Sequence, residues 1–154
     1  MARKLKPAEM RAWRAFLDAQ ASLLRRLGDD LVKEEDITLA EYDVLVQLSF
    51  APDDRLRMTE LSDRVRLSPS GLTRLVDRLV RTGLVKRGRC ASDRRGSFAI
   101  LTSAGKVRLR RASPIHLRGI REHFSKRLSP AQLTAVAEAL EPLGRDMPHG
   151  VSSD

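Results

Sequence analysis

Apolar residues recur at alternating steps of three and four from Met10 through Trp13, Leu17, Leu24, Leu27 and Leu31, with Gln20 as the polar break. That spacing predicts one long helix over residues 8–35 with a heptad seam along one side. A bare stripe of that length needs a cover, either the chain's own core or a helix of a second subunit. Thr38-Leu39-Ala40-Glu41 is a capping box that opens a second helix through Tyr42, Leu45, Val46 and Phe50, and Ala51-Pro52-Asp53-Asp54 ends it. A short extended piece over residues 56–58 leads to a brief helix carrying Leu61 and Val65, with Thr59 as its expected cap and Leu67 in the following turn.

Ser68-Pro69 then restarts the chain as a serine N-cap with proline at the first helical position. Leu72, Leu75, Val76, Leu79 and Val80 are the expected buried face, and Ser70, Thr73, Arg74, Asp77, Arg78 and Arg81 the polar one. Gly83 closes this helix. Residues 84–90 and 97–102 read as two strands of a hairpin, with a polar, basic tip over 91–96. Thr102 caps a helix running toward residue 128, which Pro114 is expected to kink or interrupt. Ser129-Pro130-Ala131-Gln132 is a second capping box, opening a last helix with Leu133, Val136, Ala137, Leu140 and Leu143. Residues 148–154 are expected to fray.

The chain has 154 residues, the size of one domain, and its 42% hydrophobic content suffices for a core. Only 4% is aromatic, so that core must be aliphatic. Cys90 is the lone cysteine, which excludes an intrachain disulfide. No apolar run approaches a membrane span, and the opening MARKLKPAEM lacks a signal peptide's apolar centre, so a soluble cytoplasmic protein is expected. Charge changes the picture more. Residues 55–111 carry 16 Lys or Arg and 4 Asp or Glu, a net of +12, while the rest of the chain carries 13 and 16, a net of −3. A polyanion is therefore the expected partner of the middle third, unless the charge is merely a solvated face.

A short helix, a tight turn, a second helix with a polar outer face and a basic hairpin follow one another in the order of a winged helix-turn-helix. The fold class read from this order is mainly α with a small β-hairpin wing. The second helix is narrow enough for the DNA major groove. Ser68, Ser70 and Thr73 are short hydroxyls able to approach backbone and base edges, and Arg74 and Arg78 reach phosphate or guanine. Arg89 on the first hairpin strand and Arg94 and Arg95 at the tip extend the basic surface toward an adjacent minor groove.

The run Ser92-Asp93-Arg94-Arg95-Gly96-Ser97-Phe98-Ala99-Ile100-Leu101-Thr102 resembles the wing signature of the MarR family of bacterial transcriptional regulators. The segment from Leu67 to Leu79 is similar to that family's recognition helix, and Gly83-Leu84-Val85-Lys86-Arg87 to the lead-in to its wing. The resemblance implies a homodimer in which residues 1–36 and 104–147 of each chain supply dimerisation helices and residues 38–103 form the winged lobe, all within one domain spanning 1–154. It also implies a pseudo-palindromic double-stranded operator with half-sites about one turn, roughly 34–36 Å, apart. In it Asp93 would orient a neighbouring arginine, and Arg94 or Arg95 would enter the minor groove.

The same resemblance implies repression relieved by a small aromatic or anionic effector, for which Trp13, Phe16, Tyr42 and His116 are the candidate lining. Cys90 is a candidate redox thiol if Arg87, Arg89, Arg94 or Arg95 lowers its pKa, and otherwise a packing residue. Catalysis is not expected. His116, His123, His149 and one cysteine give no metal-ligand spacing, and nucleophile elbows and phosphate-cradling glycine loops are missing, so neither metal nor cofactor is anticipated. A sequence-neutral architectural DNA binder is the alternative to a regulator.

Overall fold

A computed structural model describes residues 4–90 and 93–144, with the backbone alone described at Cys90 and residues 93–96. Most of its helices begin where side chains can satisfy free amides. Helix α1 (Pro7–Glu35) has proline at its first position. Helix α2 (Leu39–Ser49) starts on the Thr38–Glu41 box, with Thr38 N donating to Glu41 Oε2 at 2.8 Å and Glu41 N to Thr38 Oγ1 at 3.2 Å. A 3₁₀ turn over Pro52–Asp54 ends it and leads into strand β1 (Arg55–Arg57).

Helix α3 (Met58–Val65) begins one residue before the expected cap. Arg57 occupies the N-cap position without a side-chain bond, and Thr59 lies inside the first turn. The strand already holds Arg57 at φ −64°, ψ 145°, the extended geometry an N-cap requires, so no hydroxyl is needed to set it. The turn to helix α4 (Pro69–Arg81) passes through Arg66 at φ 55°, and buried Ser62 closes it, with Oγ donating to the Leu67 carbonyl at 2.6 Å.

Helix α4 buries Leu72, Leu75, Val76 and Leu79, but Val80 is exposed. At about 100° per residue the four buried side chains span an arc of roughly 100°, and Val80 lies about 40° past its edge. The helix ends in a Schellman closure, with Leu84 N donating to Leu79 O (2.9 Å) and Gly83 N to Val80 O (3.0 Å), and Gly83 supplying the left-handed φ of 73°.

Strands β2 (Val85–Cys90) and β3 (Asp93–Leu101) pair antiparallel, and β1 joins the far edge of β3. The hairpin is thus a three-stranded sheet, and its second strand resumes at Asp93, several residues earlier than expected. The register shifts between Arg89, opposite Ser97, and Cys90, opposite Asp93, so residues 94–96 bulge out of the ladder. One sheet face puts Leu56, Val85, Ala99 and Leu101 into the core. On the other, Arg55 and Arg57 lie over the Phe98 ring at 5.3 and 5.4 Å.

Thr102 caps helix α5 (Ser103–His123), which ends earlier than expected and passes into a 3₁₀ turn over Ser125–Arg127. Pro114 does not interrupt α5; on the preceding turn Ser113 Oγ donates to the Leu109 carbonyl at 2.9 Å. Helix α6 (Pro130–Gly144) opens on Ser129 and Gln132, which exchange backbone-to-side-chain bonds at 2.8 and 3.3 Å. The expected frayed tail lies outside the described residues.

Only the C-terminal end of the α1 stripe is covered: Leu27 and Leu31 are buried, whereas Trp13 (52%), Leu17 and Leu24 (48%) are exposed. Helix α6 buries none of its side chains, and Leu143 is 72% exposed. Helices α1 and α5 are joined through Leu27 against Gly119 and through a charged clamp at Glu35. The Glu35 side chain, 8% exposed, faces Arg108 Nε (3.6 Å) and accepts from Arg111 Nε (2.9 Å), while Arg108 Nη1 donates to the Glu35 carbonyl at 2.6 Å. Arg108→Ala strips both a terminal helix carbonyl and a buried carboxylate of a partner. It is expected to cost about 2–3 kcal/mol, read as a lower urea midpoint at unchanged slope. Arg111→Ala, at the more exposed arginine, should cost less.

Candidate nucleic-acid interface

Burial of one face of α4 against α2, α3 and the sheet turns its other face to solvent. Ser68, Ser70, Thr73, Arg74 and Arg78 are all exposed, as the periodicity predicts. Ser68 Oγ accepts from Gly71 N (3.2 Å) and lies 3.4 Å from Ser70 Oγ, so the two hydroxyls are adjacent at the amino end of the helix. Thr73 Oγ1 donates to the Pro69 carbonyl at 2.9 Å and keeps its acceptor capacity. Among the described residues Arg74 and Arg81 have no ion-pair partner. Arg78 Nε instead lies 3.5 Å from Glu41 Oε1.

Two features of this surface escaped the sequence reading. Asp77, the acidic member of the α4 face, accepts from Arg87 Nη2 at 2.8 Å and so braces the helix against β2. An isolated carboxylate on an otherwise basic face was the available signal. Glu41, visible as a capping residue, also reaches Arg78. Arg89 is exposed on β2, opposite Ser97. The side chains of Asp93, Arg94 and Arg95, and the Cys90 thiol, lie outside the described residues.

The four expected effector-lining residues fall in two places. Trp13 and Phe16 are 6.1 Å apart between ring centroids on the exposed part of α1. Tyr42 and His116 pack at 4.6 Å between α2 and α5, with Tyr42 Oη 3.5 Å from Ser113 Oγ. Burial lowers the His116 pKa and favours the neutral ring, and its buried Nδ1 has no partner among the described residues. Phe16 also belongs to an apolar groove of about 670 Å³ between α1, α6 and the end of α5, lined further by Leu23, His123, Phe124, Val136 and Leu140. Among the described residues no cluster suits a metal ion, and no helix is long and apolar enough to cross a membrane.

A family model described as MarR family matches residues 35–96, which run from the last residue of α1 into β3. The transcriptional repressor YetL of Bacillus subtilis is 34% identical over 107 residues, covering 70% of this chain and 56% of that protein. The chain therefore matches little more than half the length of such curated relatives. Among solved structures, AbsC of Streptomyces coelicolor, a MarR family transcriptional regulator, superposes with a TM-score of 0.86 at 36% identity, covering 94% of this chain and 97% of that one. Sco3205 of the same organism, a MarR family regulator solved in complex with DNA, gives 0.89 at 34% identity over 97% and 94% of the two chains. With more than 30% identity over nearly the full length of both solved proteins, this chain belongs to the MarR family of DNA-binding transcriptional regulators.

Proposed function

We propose that the protein works as a homodimer that reads a pseudo-palindromic operator, each α4 lying in a major groove and each wing in the neighbouring minor groove. The observation that carries this reading is α4 itself, with Leu72, Leu75, Val76 and Leu79 buried and Ser70, Thr73 and Arg74 facing solvent beside it. Thr73 offers a methyl suited to thymine, and Arg74 a guanidinium suited to guanine O6 and N7. Asp93, Arg94 and Arg95 take the wing roles that the family resemblance gives them. The bare length of α1 and an α6 with no fully buried side chain support pairing through residues 1–36 and 104–147. Two-fold symmetry then places the half-sites about one turn, roughly 34–36 Å, apart.

Repression is the mode proposed, since YetL is named a repressor and an α4 seated in a promoter excludes other proteins. A small aromatic or anionic effector is the proposed releasing ligand, with Tyr42 and His116, or Trp13 and Phe16 on α1, as its contacts. The protein acts in the cytoplasm, where the DNA is.

Selection from a pool of random duplexes tests the reading directly. An inverted repeat with one-turn half-site spacing is expected to emerge. Arg74→Ala should bind the selected duplex about tenfold or more weakly, with its melting temperature unchanged. Wild-type affinity should fall steeply with salt. A pool that yields no consensus, or equal affinity for selected and bulk DNA, would replace the regulator with an architectural binder.

A further inference from the structure

Resting on the DNA-reading role of α4, we propose that Glu41 is a positioning residue for operator discrimination: from the start of α2 it fixes the Arg78 guanidinium for contact with a base edge. The two carboxylate oxygens of Glu41 are divided. Oε2 accepts from Thr38 N at 2.8 Å and from Thr38 Oγ1 at 3.0 Å, which anchors it to the helix terminus. Oε1 is left for Arg78 Nε at 3.5 Å. The Glu41 side chain is only 14% exposed and is held by two further bonds, so it is a fixed point; the Arg78 side chain is 52% exposed.

A guanidinium carries five N–H groups in one plane. With Nε turned to Glu41, the terminal Nη groups are the donors left for DNA, and the fixed carboxylate limits the plane in which they lie. Arg78 is one turn along the solvent face from Arg74 and two from Ser70, so it continues the row of groups presented to the groove. A free arginine must lose its rotamer freedom on binding, and one already held beside a fixed carboxylate loses less. The benefit falls on base contacts, which demand one geometry. Phosphate contacts tolerate many.

Glu41→Gln separates this role from capping, because glutamine also completes a capping box but carries no charge for Arg78. Affinities are measured for the duplex selected from the random pool and for a scrambled duplex of equal length, alongside melting temperature. In Glu41→Gln the ratio of the two affinities should fall about fivefold, the cost of ordering one arginine side chain on binding, with scrambled-duplex binding no weaker and melting unchanged. Arg78→Ala, at an exposed site that folding does not need, should lower the ratio by at least that factor. In the Arg78→Ala background Glu41→Gln should lower it no further.

An unchanged ratio in either single variant overturns the proposal, as does equal tightening on both duplexes, the mark of a carboxylate that merely competes with phosphate. If Arg74→Ala loses discrimination while Glu41→Gln keeps it, the DNA-reading role stands and the positioning role alone is lost. If wild type does not distinguish the two duplexes, both fail.

Discussion

Gly105→Ala is expected to lower stability by about 3 kcal/mol, an overpacking cost set by backbone rather than side chain. Gly105 is the third residue of α5, with its amide donating to Thr102 Oγ1 at 3.0 Å. A Cβ there would lie 2.2 Å from the Leu84 carbonyl oxygen and 2.6 Å from Leu101 Cδ1. The Leu84 carbonyl cannot step aside. It accepts from Thr102 N (3.1 Å) and Thr102 Oγ1 (3.0 Å), and Leu84 N completes the closure of α4. An added methyl must therefore push α5 off the joint where α4 ends and β2 begins.

The melting temperature should drop by about 10 °C, and operator binding should weaken even where the variant remains folded. Gly119→Ala is the control. Its Cβ would meet Leu27 Cδ2 at 2.7 Å, the movable end of a side chain, and alanine is the better helix former, so a change within about 1 kcal/mol is expected. Should Gly105→Ala melt within a degree or two of wild type, the close approach does not constrain the fold.

What sequence made legible follows the range of the interactions. The Thr38–Glu41 and Ser129–Gln132 boxes, the Ser68-Pro69 start and the Gly83 stop are chemistry within a few residues, and each is found where the residues place it. The buried arc of α4 followed from period alone, apart from Val80 at its margin. Less legible was anything set by distant chain: an extended piece was expected at 56–58, but its place in the sheet was not. Strand β1 is three residues, two of them arginine, and becomes a strand because Leu56 finds Ala99 across the sheet, 43 positions away.

That long-range pairing also displaced the cap expected at Thr59. The packing of Gly105 on Leu84 and the reach of Glu41 to Arg78 are tertiary contacts, for which neither residue type nor spacing gives a signal. Within the site, exposure of Ser68, Ser70, Thr73, Arg74, Arg78 and Arg89 was readable, since an amphipathic pattern dictates which side faces out. Which arginines are already engaged by carboxylates was not, since those partners lie on other elements.

Leu24→Glu is expected to split the proposed homodimer and, through it, to cost operator affinity a hundredfold or more. Leu24 is 48% exposed on α1, between covered Leu27 and bare Leu17 on the same seam, so the single chain loses little by exchanging it for a polar residue. Glutamate is also a good helix former. The isolated subunit should thus keep its helical circular-dichroism signal. In a dimer, however, the same carboxylate is carried into an apolar interface, and by symmetry twice, where burying an unpaired charge is prohibitive. Sedimentation should show a molecule near the 17.3 kDa chain mass in place of one at about twice that mass.

Binding to a single half-site should survive with its salt dependence roughly halved, because one lobe's phosphate contacts remain. The fall on the full operator is then a loss of the effective concentration that links two lobes, with α4 untouched. A Leu24→Glu protein that still sediments as a dimer would move the interface away from the α1 seam. One that becomes monomeric yet binds the full operator as tightly as wild type would leave the bare stripe without a role in DNA recognition.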